Sequence, residues 1–167
     1  MKKELFLILH NIRSAYNVGA IFRTADGAGV AKIFLTGYSH SPSLVEMEAA
    51  KSKADKMIEK TALGAEKTVP WEKYEDVFEL LEKLKKENCL LAALEVAPGA
   101  VELGKFESEK SVALILGNEV TGVPEEILEK CDLILAIPMR GTKGSLNVSI
   151  AAGIAAYQIM DKIIKEV

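Results

Sequence analysis

The segment from Ser111 to the C-terminus constrains the fold more than any other part of the chain. It contains an apolar run, a glycine-bearing loop, a short helix, a second apolar run, a polar loop and a long helix of small residues. Polar side chains stand where the apolar runs end, at Asn118, Glu119, Arg140, Lys143, Ser145 and Asn147. Open α/β sheets bind ligands beyond the carboxyl ends of their strands. The segment therefore predicts an α/β sheet with a ligand site at this edge.

Strands and helices alternate in the rest of the chain as well. The predicted strands are Glu4–Leu9, Ala31–Leu35, Thr68–Trp71 and Cys89–Val96. The predicted helices are one that Asn17 caps and Gly29 ends, one or two pieces in Leu44–Gly64, Glu72–Glu87, a short helix with Pro124 as its first residue, and Val148–Lys165. Pro70 places its strand at a sheet edge, because proline cannot donate to a ladder. This alternation predicts a mostly parallel sheet with helices on both faces.

Size and composition limit the class of protein. A chain of 167 residues with 49% hydrophobic content fits one domain with one good core. No apolar run approaches the ~20 residues of a membrane span, and the N-terminal LFLIL run is too short for a signal peptide. Cys89 and Cys131 are isolated, so neither a metal site nor a disulfide is expected. We expect a cytoplasmic protein.

The distribution of charge is more informative than its sum. The net charge of -3 argues against bulk attraction to nucleic acid. The only three arginines, Arg13, Arg23 and Arg140, fall in loops or at loop–helix junctions, where a guanidinium can bind phosphate through two hydrogen bonds. The alternative is that they are simply exposed loop residues. Neither a GxGxxG fingerprint nor a P-loop is present, so the ligand is not obviously held by its phosphates.

Three blocks in order carry a family resemblance. They are NVGAIFRTADGAGV from Asn17, LILGNEVTGVP from Leu114 and IPMRGTKGSLNVSIAAGIAAY from Ile137. The connecting KTALGAEKTVPWEKYED from Lys60 is similar as well. The chain resembles SPOUT-superfamily RNA methyltransferases of the TrmH/SpoU type, and the blocks together cover nearly all of it.

The resemblance implies an S-adenosylmethionine-dependent ribose 2'-O-methyltransferase that acts on tRNA or rRNA. It implies a deep C-terminal trefoil knot, which a topology argument from sequence would have rejected. It also implies a homodimer whose active site draws on both subunits. The first block begins close to the N-terminus, so we expect a single methyltransferase domain over residues 1–167, without an N-terminal RNA-binding extension. The expected partner is RNA, with no role for DNA or a membrane.

The resemblance also implies roles for individual residues. The catalytic set would be Arg23, Asn17, Glu119, Ser145 and Asn147, without a metal. The cofactor pocket would be formed by Leu94, Gly117, Ile137, Met139, Ser145 and Leu146. RNA would be bound by Arg13, Arg140 and Lys143. For Arg23 we expect electrostatic stabilisation of the 2'-oxygen and alignment of its phosphate rather than proton abstraction, because guanidinium retains its proton above pH ~12.

Simpler interpretations stand beside these roles. Asn17, Ser145 and Asn147 are residue types that cap helices, and an exposed Glu119 needs no function. The alternative function is a non-catalytic RNA-binding or cofactor-binding module of the same fold; a nucleotide-binding enzyme of other chemistry is a third. The intact catalytic set argues against lost activity. Gly153 in the last helix predicts a close backbone contact, and we expect this helix and the Asn17 helix to form the dimer interface.

Overall fold

The computed structural model describes residues 2–164 and contains one sheet with helices on both sides. The strands within this range are β1 (Leu5–His10), β2 (Lys32–Thr36), β3 (Trp71–Tyr74), β4 (Leu90–Leu94), β5 (Val101–Glu102), β6 (Val112–Leu116) and β7 (Leu133–Ala136). The helices are α1 (Ala15–Ala28), α2 (Lys53–Ala62), α3 (Ala65–Thr68), α4 (Val77–Lys86), α5 (Glu125–Leu128) and α6 (Val148–Ile163). The predicted end of the last helix at Lys165 lies outside the described residues.

All strand pairs are parallel, in the order β3-β2-β1-β6-β4-β7-β5. Successive strand residues face opposite sides, so each strand contributes to two cores. Leu7 of β1 belongs to the core beneath α1, α2 and α6, whereas Ile8 belongs to the core beneath α4 and α5. The predicted parallel sheet with helices on both faces is therefore confirmed.

Helix α1 begins earlier than the sequence predicted. Its N-cap is Ser14, whose hydroxyl accepts a hydrogen bond from the Asn17 backbone N–H at 3.3 Å. The prediction that Asn17 caps this helix is wrong, because a second cap-type residue lies three positions upstream and Asn17 stands in the first turn. The predicted end is confirmed: Gly29 adopts a left-handed conformation with φ 75° and bonds back to the last turn.

The segment around Pro70 differs from its predicted register. Thr68 ends the short helix α3, and its hydroxyl donates to the Ala65 carbonyl and to Asp26 Oδ1. Pairing with β2 starts at the Pro70 carbonyl, which accepts from Ile33 N at 2.9 Å, and β3 follows as an edge strand. The predicted strand at Thr68–Trp71 was therefore placed too early, although its edge position is confirmed.

The remaining boundaries differ by a few residues. Between β2 and α3 the chain forms a 3-10 turn at Glu48–Ala50 and then α2, which begins with a capping box between Ser52 and Asp55. Helix α4 starts at Val77 rather than Glu72, because the preceding residues belong to β3. Pro124 is the N-cap of α5 rather than its first helical residue.

Helix α6 returns to the start of the chain and packs on α1. A Cβ added to Gly153 would lie 3.2 Å from Thr24 Cγ2, so the close contact predicted for this glycine is made within the chain. This packing brings the N-terminus of α6 beside the N-terminus of α1 and the end of β6. Within residues 2–164, no helix has the length and apolar character needed to cross a membrane.

Candidate active site

A cleft opens at the carboxyl ends of β4, β6 and β7 and is closed below by the first turn of α6. Its lining residues are Leu94, Glu95, Val96, Leu116, Gly117, Asn118, Glu119, Val120, Gly122, Ile137, Met139, Ser145, Leu146, Val148 and Ala151. All six residues predicted for the cofactor pocket are in this set. The cleft lies at the edge where open α/β sheets bind ligands.

The walls of the cleft are fixed by contacts between loops. Gly117 lies so close to the backbone of Gly122 that a Cβ would overlap it, and Asn118 and Gly122 form a two-way backbone bridge at 2.9 and 3.1 Å. The carboxylate of Glu95, directly after β4, accepts from Val123 N at 3.0 Å. It also occupies the space that a side chain at position 122 would need. The loops after β4 and β6 are therefore held together by one carboxylate.

The Glu119 carboxylate joins the cleft to the start of α1. Its Oε2 accepts from Arg13 N and its Oε1 from Ser14 N, both at 2.9 Å, and Oε1 also accepts from Asn17 Nδ2 at 3.0 Å. An anion at a helix N-terminus is favoured by the free N–H groups and by the helix dipole. Local sequence analysis found no capping partner for Glu119, because its partners lie more than a hundred residues away in the chain.

These contacts determine the ionisation of Glu119. Partial burial would raise the pKa of its carboxyl group, but the hydrogen bonds from Arg13, Asn17 and Ser14 together outweigh burial and hold the pKa below its ordinary value. Glu119 is therefore a carboxylate at neutral pH. It acts in this structure as a hydrogen-bond acceptor for the protein itself.

A second link runs from Asn17 to α6. Asn147 Nδ2 donates to Asn17 Oδ1 at 3.3 Å, and Asn147 Oδ1 accepts from Ser149 N at 2.8 Å as the N-cap of α6. The capping interpretation of Asn147 is confirmed, and it coexists with a position at the candidate site. Glu119, Asn17 and Asn147 thus form one hydrogen-bonded chain that starts at the cleft wall with Glu119 and runs beside the cleft, which we call the polar chain.

The loop between β7 and α6 carries the remaining predicted residues. Ser145 lines the cleft, and Arg140 and Lys143 stand exposed in the same loop. Arg13 is exposed at the other side of the polar chain, where its backbone N–H is bound by Glu119. The three predicted RNA-binding cations therefore lie on loops that flank the cleft.

Of the predicted catalytic set, Glu119 and Ser145 line the cleft, Asn17 and Asn147 are connected to it through the polar chain, and Arg23 does neither. It lies on the exposed side of α1, about 9 Å along the helix axis from Asn17. Six residues also turn the helix well away from the direction of the Asn17 side chain. Its guanidinium is absent from the cleft lining formed by the described residues.

The sequence interpretation missed Glu95 and the full role of Asn118. The amide of Asn118 accepts from Val120 N and Thr121 N through Oδ1, and donates to the Asn11 carbonyl and Tyr38 Oη through Nδ2. A polar residue directly after a buried strand, followed by Gly122 four positions on, is a turn signal that could have identified Asn118. Glu95 also follows a buried strand directly, but its partners are set by tertiary structure.

Comparison with known proteins places the chain in a family. The SpoU rRNA Methylase family model matches residues 4–157. The tRNA (guanosine(18)-2'-O)-methyltransferase of Aquifex aeolicus is 32% identical over 157 residues, covering 94% of this chain and 69% of that protein. A Staphylococcus aureus protein assigned to the TrmH family is 30% identical, and this chain spans 58% of its length.

Solved structures agree with this result. The A. aeolicus TrmH/SpoU tRNA modifying enzyme superposes with a TM-score of 0.79 at 30% identity, over 96% of this chain and 75% of that one. A structure concerned with the 2-OH methylation of C/U34 on tRNA matches at 26% identity and a TM-score of 0.77, over 98% of both chains. An AdoMet-bound rRNA methyltransferase from Sinorhizobium meliloti, at 24% identity, shares the fold with a TM-score of 0.81 over 99% of this chain and 59% of that one. The chain belongs to the SpoU rRNA methylase family.

Proposed function

We propose that this chain transfers a methyl group from S-adenosylmethionine to the 2'-hydroxyl of a ribose in tRNA or rRNA. Family membership supports RNA methylation, and the AdoMet-bound relative of the same fold supports the donor. The observation that carries the proposal is the position of the apolar cleft directly beside the polar chain of Glu119, Asn17 and Asn147. Displacement needs the donor and the sugar in adjoining sites, already aligned.

The residues of the cleft fit this donor. Its wall is mainly aliphatic, which suits an adenine ring and a methionine chain, and backbone groups of the three loops supply polar contacts. At the rim Val96 and Val120 are 61% and 74% exposed, an apolar surface that a bound ligand would cover. When bound, S-adenosylmethionine supplies a methyl group on a sulfonium. In the transfer the S–CH3 bond would break as the O–CH3 bond forms, S-adenosylhomocysteine would leave, and the hydroxyl proton would pass to a phosphate or to water.

The polar chain positions the ribose. Glu119 fixes Asn17 and the start of α1, and Asn17 in turn holds Asn147 at the start of α6. Ser145 lines the cleft three residues before α6, and we place it against the donor and the sugar. Arg13, Arg140 and Lys143 bind phosphates on both sides of the target nucleotide.

The active unit is a homodimer in which Arg23 acts on the partner's cleft. Exposed apolar side chains on α1 and α6 support this assembly: Tyr16 is 41% exposed, Ile150 55% and Tyr157 51%. Arg23 lies on the same exposed side of α1. A symmetric contact through this face carries one subunit's Arg23 toward the other's cleft, where it stabilises charge on the 2'-oxygen and binds the adjacent phosphate.

The fold includes a deep trefoil knot. Strand β7 lies between β4 and β5, both of which precede it in the chain. In this proposed knot, residues 137–147 pass through the connection between β4 and β5 before α6 packs on α1. Such threading would hold the three loops of the cleft together. A cytoplasmic location suits the RNA substrate and the two free thiols, Cys89 and Cys131.

The test is incubation of the purified protein with methyl-labelled S-adenosylmethionine and total RNA. The expected result is label in tRNA or rRNA at one nucleotide that becomes resistant to alkaline cleavage, because 2'-O-methylation removes the attacking hydroxyl. The Ser145→Ala variant is the control that should lose transfer while keeping its fold by circular dichroism. RNA and cofactor binding without any transfer would favour the non-catalytic alternative.

A further inference from the structure

The turn after β2 presents an aromatic ring to solvent beside the cleft. Tyr38 is 58% exposed, yet its phenol oxygen accepts from Asn118 Nδ2 at 2.8 Å and its backbone N–H donates to Asn11 Oδ1 at 3.1 Å. Asn118 lines the cleft and directly precedes Glu119. The ring is therefore one side chain away from the candidate active site.

The backbone beneath Tyr38 is held from several directions. Gly37 has φ 60° and Asn11 φ 56°, both left-handed, and the Asn11 amide occupies the place of a Cβ at position 37. Lys73 Nζ donates to the carbonyls of Gly37 and Ser39 at 2.8 and 2.7 Å. The buried Ser39 hydroxyl donates to the Leu9 carbonyl. A turn this constrained fixes the direction in which Tyr38 points.

The ring of Tyr38 lacks the cationic neighbour that two other tyrosines have in the described part of the chain. Lys60 Nζ lies 5.9 Å from the centre of the Tyr16 ring, and Lys83 Nζ lies 5.5 Å from that of Tyr74. Among the described residues Tyr38 has no such ring or cation contact. A rigid, exposed aromatic ring is the kind of surface on which nucleobases stack, because the side chain has already lost its conformational entropy on folding and loses little more on binding.

We propose that Tyr38 is a stacking site for a nucleobase next to the methylated nucleotide of the RNA substrate. The inference rests on the proposed function, since it places the target ribose between the cleft and the polar chain. The neighbouring nucleotide then extends over Asn118 toward the β2 turn. Proteins recognise unpaired RNA bases by stacking them on exposed aromatic side chains. Tyr38 thus contributes to substrate affinity and not to chemistry.

The test compares Tyr38→Leu with its matched control, Tyr38→Phe, in the full chain. The substrate is the RNA found by the labelling experiment. Stacking needs the ring but not the hydroxyl, so Tyr38→Leu should raise the KM for RNA about tenfold or more, with kcat near the wild-type value. Tyr38→Phe should change KM by less than about threefold, since Asn118 keeps its bond to the Asn11 carbonyl. Both variants should bind S-adenosylhomocysteine like the wild type.

A second readout reports on stacking itself. Substrate RNA with 2-aminopurine next to the methylated nucleotide should lose fluorescence on binding wild type and Tyr38→Phe, but not Tyr38→Leu. An unchanged KM and unchanged quenching in Tyr38→Leu would overturn the inference, as would equal impairment of both variants, which would indicate a structural hydroxyl. A wild-type protein that labels no RNA would instead overturn the proposed function.

Discussion

The carboxylate of Glu119 connects three segments that are distant in the chain. It satisfies two backbone N–H groups ahead of α1 and the side chain of Asn17, and its own loop lines the cleft. A glutamine amide at this position could accept only some of these hydrogen bonds, because its NH2 group would face an N–H donor. The geometry of the candidate site therefore depends on one ionised group.

Glu119→Gln should lower the free energy of unfolding by about 1–2 kcal/mol at pH 7, because a charge-assisted contact is lost. The pKa of the Glu119 carboxyl is lowered in the folded state. The stabilisation by the ionised carboxylate is therefore present above pH 4.5, the ordinary pKa, and is lost as the pH falls below it. Urea unfolding at pH 7 and pH 4 measures both effects. The exposed Glu129→Gln is the control, and equal losses in the two variants would contradict the role of Glu119.

His10 gives a second pH dependence, at higher pH. Its Nδ1 lies 2.8 Å from Thr36 Oγ1 and its Nε2 3.2 Å from Asn11 Nδ2. The Asn11 amide is oriented by the Tyr38 N–H at its Oδ1, so Nε2 must accept and the ring is neutral with its proton on Nδ1. Burial lowers the pKa of His10, and the negative charge of Glu126 only partly opposes this.

The contribution of neutral His10 to the free energy of unfolding should therefore be fully present above pH 6.5, the ordinary pKa of histidine. It should fall as the pH drops below that value, because the unfolded chain binds the proton first. Melting temperatures between pH 7.5 and pH 5.5 test this. The fall should be smaller in His10→Gln, which cannot titrate, and unchanged in the exposed His40→Gln. Parallel pH profiles for wild type and His10→Gln would disprove the assignment.

At the scale of elements, hydrophobic patterns in the sequence were sufficient to predict the strands whose residues alternate between the two cores. They did not give the correct boundary where two residues could each cap a helix, as Ser14 and Asn17 could for α1. They also failed where an edge strand follows a short helix, as β3 follows the helix that ends at Thr68. The six predicted cofactor residues share the cleft because they lie at the carboxyl ends of the neighbouring strands β4 and β6 or in the loop that leads from β7 to α6. Tyr38 and Glu95 could not be predicted, since their partners are fixed only by the packing of loops.

The contact between α1 and α2 leads to a prediction at this scale. A Cβ on Gly19 would overlap the Thr61 hydroxyl and the Ile58 carbonyl, and backbone atoms cannot move aside cheaply. Gly19→Ala should therefore lower the free energy of unfolding by about 1–3 kcal/mol, despite the better helix propensity of alanine. Gly104→Ala is the control, because a Cβ there meets nothing within 4 Å. Urea denaturation followed by circular dichroism compares them, and a stabilised Gly19→Ala would refute the packing argument.

At the scale of the whole molecule, the single chain contains a cleft and a polar chain but holds Arg23 apart from both. The exposed face of α1 and α6 provides a surface through which a second copy could supply that arginine, and on it Tyr157 of α6 lies close to Gly27 of α1. Under the proposed function, catalysis by Arg23 requires association of two copies, whereas cofactor binding does not. Variants at Arg23 should therefore lose methyl transfer without losing cofactor binding.

Arg23→Ala should abolish methyl transfer with unchanged S-adenosylhomocysteine affinity, and the exposed Lys130→Ala should be the neutral control for loss of a positive charge. Co-expression of Arg23→Ala with Asn147→Ala tests the dimer further, because each variant alone should be inactive. If Arg23 acts on the partner's cleft, mixed dimers contain one site with both residues intact, and random pairing restores about a quarter of wild-type activity. If Arg23 acts within its own subunit, every site in a mixed dimer lacks one residue and no activity returns. Methylation by the doubly tagged, purified mixed dimer therefore decides which subunit's arginine reaches the ribose.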